Sequence, residues 1–183
     1  MTLPPAPLAG LTACALVLAA CQMDAAPNAV ASPTEPEAPA QTQTAPVAQV
    51  APADAPLVTV YKSPTCGCCS LWVDHLAASG FEVRAVDRED MAAVKDSLGV
   101  PNELGSCHTA TVGDYVVEGH VPAEHVARLL AERPDARGLA VPGMPIGSPG
   151  MEVGDRVDPY DVIVFDEGGE GSVFAHVEGN TQP

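Results

Sequence analysis

Leu57–Leu76, LVTVYKSPTCGCCSLWVDHL, is the stretch on which the fold turns. Leu57 to Tyr61 is a short run rich in β-branched residues, which predicts a strand, and Lys62-Ser63-Pro64-Thr65 ends it. Leu71, Trp72, His75 and Leu76 then recur at helical spacing up to a stop at Gly80. Cys66-Gly67-Cys68-Cys69 therefore falls at the junction, on the N-terminus of a helix that follows a strand. Unpaired backbone N–H groups there carry partial positive charge and favour thiolate over thiol. Cys66 and Cys69 have the C-x-x-C spacing of dithiol redox sites, but Cys68 makes a third thiol. Disulfide exchange needs one attacking and one resolving sulfur, so it leaves Cys68 unexplained. A metal site that wants several soft anionic ligands explains it.

Downstream, Phe81 to Val86 predicts a second strand, and Glu89 to Leu98 a helix with Met91, Val94 and Leu98 inward. A loop, Gly99 to Ser106, leads into a strand-like Cys107 to Val112, and Tyr115 to Val117 returns antiparallel across the Gly113-Asp114 turn. Pro122 to Glu132 predicts a third helix with Val126, Leu129 and Leu130 inward. Strand, helix, strand, helix, two antiparallel strands and a helix, with cysteines closing the first strand, is a thioredoxin-like α/β order. It implies a central mixed sheet flanked by helices. From Leu139 to Gly179 the chain adds a Gly/Pro/Met loop and two strand-like runs, Val162 to Phe165 and Val173 to Val177, read as a C-terminal β extension.

On this topology the loop into the third strand passes the first helix N-terminus, where thioredoxin-like folds usually carry a cis-proline. Here it reads Ser106-Cys107-His108. Cys107 is thus expected beside Cys66, Cys68 and Cys69 as a fourth ligand. Alternation along a strand turns Cys107 and His108 to opposite sides, so one of the two is expected at the site. Met144 and Met151, flanking Pro145 to Gly150, are weaker candidates, as is His108; thioethers are soft ligands. His120 and His125, five apart around Pro122, are a weak ligand pair for which surface or capping roles are favoured, and His75 is read as a half-buried helix residue. If the site is purely structural, Cys66–Cys69 and Cys68–Cys107 are the disulfides the spacing allows.

Upstream of Leu57 the composition changes. Residues 22–56 hold seven prolines among Ala, Gln, Thr and acidic residues, and such a segment cannot bury enough apolar surface to offset its ordering entropy. It reads as a disordered linker with a reach on the order of 30 Å. Leu8 to Ala20 is apolar but short of the roughly 20 residues that cross a bilayer, and its length suits a secretory signal. The following Leu18-Ala19-Ala20-Cys21 resembles a bacterial lipobox. The resemblance implies removal of residues 1–20, acylation of Cys21 and a lipid-anchored linker over 21–56. The folded domain is then 57–183, held to the periplasm-facing envelope, with Gln22 implying the outer membrane. One departure is that no Lys or Arg precedes Lys62.

The whole chain of 183 residues carries a formal charge of −16, with 24 acidic against 8 basic side chains. That field repels phosphate backbones, so nucleic acid is excluded as a partner, while cations are attracted. Zinc sites usually draw four ligands from two separated pairs. Adjacent helical residues such as Cys68 and Cys69 diverge by about 100°, which favours thiolates bridging several ions, and soft sulfur selects Cu(I). Copper is accordingly favoured over zinc.

VYKSPTCGCC (Val60 to Cys69), GSCHTA (Gly105 to Ala110), GHVPAE (Gly119 to Glu124) and GLAVPGMPIGSPGME (Gly138 to Glu152) together resemble the CopG-like family of periplasmic copper-resistance proteins. The likeness spans about Leu57 to Gly179. It implies a thioredoxin-like fold with a multinuclear copper cluster on Cys66, Cys68, Cys69 and Cys107. It also implies a role in copper resistance through sequestration, transfer to copper-handling envelope proteins, or Cu(I)/Cu(II) conversion. If there is an activity it is that of a copper oxidoreductase, and not of a hydrolase or transferase. Two other readings stand beside it: a thiol–disulfide oxidoreductase using Cys66 and Cys69, and a zinc-bound or disulfide-stabilised structural module.

Overall fold

The computed structural model describes residues 50–180. The expected signal segment, the acylated Cys21 and the linker as far as residue 49 lie outside the described residues. Seven strands form one sheet in the order β2-β1-β3-β4-β5-β6-β7: β1 Val58–Lys62, β2 Val83–Asp87, β3 His108–Val112, β4 Tyr115–Glu118, β5 Gly138–Ala140, β6 Tyr160–Phe165 and β7 Gly171–Val177. The helices are α1 Gly67–Ala78, α2 Met91–Leu98 and α3 Ala123–Glu132. β1–β2 and β4–β5 are parallel and the other pairs antiparallel, so the architecture is mixed α/β with the expected C-terminal β extension.

The strands alternate between two buried faces. Val58 and Val60 of β1, Val117 of β4 and Leu139 of β5 meet Trp72 and Leu76 of α1 and Val126 and Leu129 of α3 in the larger core. Val116, Ala140 and Phe165 point the other way and pack with Leu98 at the end of α2 and with Val100 and Leu104. Each fully buried side chain of this size contributes about 1.5–3 kcal/mol. Trp72 also has a polar tip, and its Nε1–H donates to the Val121 carbonyl at 2.9 Å, tying α1 to the entry of α3. Asp90 caps α2 by accepting from Ala93 N–H at 3.0 Å, and Gly99 ends it in the left-handed region at φ 71°.

Two features were not read in advance. β5 is a three-residue strand, too short for any periodicity. It exists because β4 and β6 both offer it partners, and Gly138 is needed there, since a Cβ would collide with the Val116 carbonyl. The chain also joins the fold before Leu57: the N–H groups of Val50 and Ala51 donate to the Ser79 carbonyl at 3.0 and 2.9 Å, and Ala51 and Ala55 pack on the core.

Candidate metal centre

α1 begins with no side-chain cap on Cys66, so the first backbone N–H groups of the helix are not satisfied by that side chain. Cys66, Cys68 and Cys69 are thus brought together by one turn of helix. Cys107 arrives from 38 residues downstream of Cys69, and its Sγ lies 3.4 Å from Cys69 Sγ and 3.9 Å from Cys68 Sγ. Cys66 Sγ is 3.5 Å from Cys68 Sγ, and all four sulfurs fall within 4.8 Å of one another. Divergence of Cys68 and Cys69 around the helix does not keep their sulfurs apart. Cys66 and Cys69 are joined by a disulfide, while Cys68 and Cys107 are free.

Cys107 also belongs to a second convergence, with His108 and His120. Its Sγ stands 3.3 Å from His108 Nδ1 and 3.1 Å from His120 Nε2. The expectation that only one of Cys107 and His108 reaches the site is corrected: Cys107 sits in the bend before β3, outside the pleat, so alternation does not separate them. The surface or capping role read for His120 is corrected too, because its side chain is fully buried. A signal for it existed in the sequence. The Gly113-Asp114 turn pairs Val112 with Tyr115 and Thr109 with Glu118, so the chain leaving β4 runs back alongside the segment that carries Cys107.

Burial fixes the chemistry of these groups. His120 Nδ1 lies 2.8 Å from the Pro149 carbonyl, which can only accept, so Nδ1 carries the proton and Nε2 presents its lone pair to Cys107. Burial lowers the His120 pKa, against weaker opposing effects of Pro149 and Glu152. His108 is pushed well below the ordinary histidine value, first by burial and then by His120 and Lys95. Both rings are therefore neutral near pH 7. His108 Nε2 is buried without a hydrogen-bond partner, and its ring packs 4.5 Å from Trp72 and 4.9 Å, edge-on, from His120. Cys107 is raised to about 12 by burial and by its neighbour Cys68. Cys107 is a thiol until something displaces its proton.

The other candidates are arranged around this cluster. Met144 is exposed and Met151 half-buried; their loop passes α1 so closely at Gly150 that a Cβ there would collide with the backbone of Cys68 and Trp72. His75 is half-buried as read, and its Nε2 accepts from Ala123 N–H at 3.1 Å, capping α3. His125 packs edge-on against Phe174, with ring centroids 6.2 Å apart. Neither joins the four cysteines. The arrangement offers up to four sulfurs and two imidazole nitrogens with Cys107 shared between two sets, a donor collection suited to soft or borderline metals.

Residues 104–151 match the family described as protein of unknown function, DUF411; the match includes Cys107, His108 and His120. Two solved structures are similar to the chain. "Copper resistance protein CopG, form 2" is 49% identical, covering 67% of this chain and 98% of that one, with a TM-score of 0.64. Form 1 of the same protein is 48% identical, covering 69% and 100%, with a TM-score of 0.65. None of the curated proteins compared with the chain matches it.

Proposed function

The chain belongs to the family of copper resistance protein CopG, and from that premise we propose that it captures Cu(I) on the thiolates of Cys66, Cys68, Cys69 and Cys107 in the service of copper resistance. The observation that carries the reading is the convergence of sulfurs from α1 and from the loop before β3 within 4.8 Å. Thiolates crowded this closely suit Cu(I), which tolerates bridging sulfur and low coordination. His120 and His108 add neutral nitrogens on the Cys107 side, so Cys107 is placed to bridge ions held by different donor sets.

Capture has two chemical conditions. The Cys66–Cys69 disulfide must be reduced by two electrons before all four sulfurs are available. Cys107, with its pKa raised to about 12, must lose its proton to solvent as the metal takes its place, so binding releases acid and weakens as pH falls. The strand order β2-β1-β3-β4 with cysteines at the start of α1 supports a thioredoxin-like reading of the first four strands and three helices. The apolar Leu8 to Ala20 and the Cys21 that follows support an envelope lipoprotein whose partners are copper-handling proteins of the same compartment.

Anaerobic Cu(I) titration of the reduced protein beside Cys107→Ala tests the reading. The substitution is expected to lower capacity by more than one ion, because a bridging sulfur holds several; unchanged stoichiometry removes Cys107 from the site. Protein left oxidised is expected to take up less copper than reduced protein. Isolation under reducing conditions with one zinc per chain and no copper would instead support the structural module. The disulfide at the helix end keeps a thiol–disulfide oxidoreductase as second reading, favoured if reductase turnover survives Cys68→Ser and Cys107→Ser.

A further inference from the structure

On the face of the sheet opposite α1, Glu118 of β4 is fully buried with its carboxylate engaged on every side. Oε1 accepts from Ser106 N–H at 2.6 Å and from the Lys95 ammonium of α2. Oε2 accepts from the Thr109 hydroxyl at 2.7 Å, and that hydroxyl in turn accepts from Lys95 Nζ at 3.0 Å. Ser106 and Thr109 bracket Cys107-His108, and Glu118 itself lies two residues before His120. One carboxylate thereby grips the chain on both sides of the shared cysteine.

A buried carboxylate is costly, and hydrophobic packing would fill a β4 position more cheaply. Neighbouring contacts show what the cost secures. Ser106 and Cys107 lie outside β3, so no ladder bond fixes Ser106 N–H. Glu118 supplies the missing acceptor, and the Ser106 hydroxyl donates to the Gly143 carbonyl. We infer that Glu118, compensated by Lys95, is a positioning residue that sets Cys107 against the sulfurs of α1. The inference rests on the Cu(I) reading above and acts through Cys107 alone.

A double-mutant cycle on the full-length reduced protein reads this out, with Cu(I) affinity measured by competition with a chromogenic chelator. Glu118→Gln keeps size but loses the charge and one acceptor. It is expected to weaken Cu(I) binding about tenfold in the wild-type background, the scale typical of groups that orient ligands. In the Cys107→Ala background the same change is expected to cost less than about twofold. Equal losses in both backgrounds, or no loss in the wild type, overturn the inference, since a general effect on the fold does not depend on Cys107. Should Glu118→Gln fail to fold, Thr109→Val removes one donor to the carboxylate at nearly constant shape, and the same dependence on Cys107 is expected at about threefold. If Cys107→Ala itself leaves Cu(I) binding untouched, the four-cysteine reading fails and this inference with it; a clear Cys107 effect without coupling sinks only the inference.

Discussion

His120 shows how one backbone carbonyl can set the role of a side chain. Because Pro149 O accepts a hydrogen bond from Nδ1–H, the ring is held in the tautomer that turns a lone pair on Cys107. The same burial makes the site sensitive to acid. His120 and His108 are both fully buried with lowered pKa values, chiefly through desolvation, whereas in the unfolded chain each titrates near 6.5. The unfolded state therefore binds protons first as pH falls, and stability present above about pH 6.5 is lost below it. His75 and His125, also lowered by burial, act in the same direction, and the exposed His176, raised by its hydrogen bond to Asp161, acts in the other. Urea unfolding of the metal-free protein between pH 7.5 and 5 is expected to lose up to about 1.4 kcal/mol per pH unit for each of the two buried rings once below 6.5. A shallower profile in the His108→Gln, His120→Gln double variant, which keeps His75, His125 and His176, is the control, and equal slopes in wild type and double variant count against neutral buried rings.

At the scale of elements, the loop from Val141 to Pro159 acts as a strap over the first turn of α1. Gly150 adopts φ 86° there, and a Cβ would come to 2.7 Å from the Cys68 carbonyl and 2.9 Å from Trp72 N. Both atoms are backbone and cannot swing aside. Gly150→Ala is expected to cost about 1–3 kcal/mol and to lift Pro149, freeing the His120 ring. The paired readout is a lower melting temperature together with weaker Cu(I) binding; a variant that melts lower yet binds copper normally would separate the strap from the site. The sequence shows this segment to be a Gly/Pro/Met loop, but not where it lands, because that depends on close approach between backbones remote in the chain. β1, α1, α2 and the β3–β4 hairpin were legible for the opposite reason: periodicity and turn chemistry are local. Cys107 was legible through the order of those elements. His120 was legible only through the path of the hairpin, which a reading by residue type passes over.

The molecule as a whole joins a soft-metal site to a strongly acidic surface, with 20 of its 24 acidic residues after Leu57 beside all 8 basic ones. Such a surface draws in cations while discouraging adhesion to anionic headgroups. None of the described helices is long and apolar enough to cross a bilayer. We propose Cys21 as the anchor, with the proline-rich residues 22–49 spacing the domain from the lipid. A single acyl chain holds only marginally, and stable anchoring takes at least two, which is what acylation of a lipobox cysteine implies. Cys21→Ala in the full-length chain is therefore expected to move the protein from the detergent-soluble membrane fraction to the soluble envelope fraction, with Cu(I) stoichiometry unchanged because the four site cysteines are untouched. Persistence of the variant with membranes would show that something other than Cys21 holds it there, and loss of copper binding in the released protein would mean that tether and site are not independent.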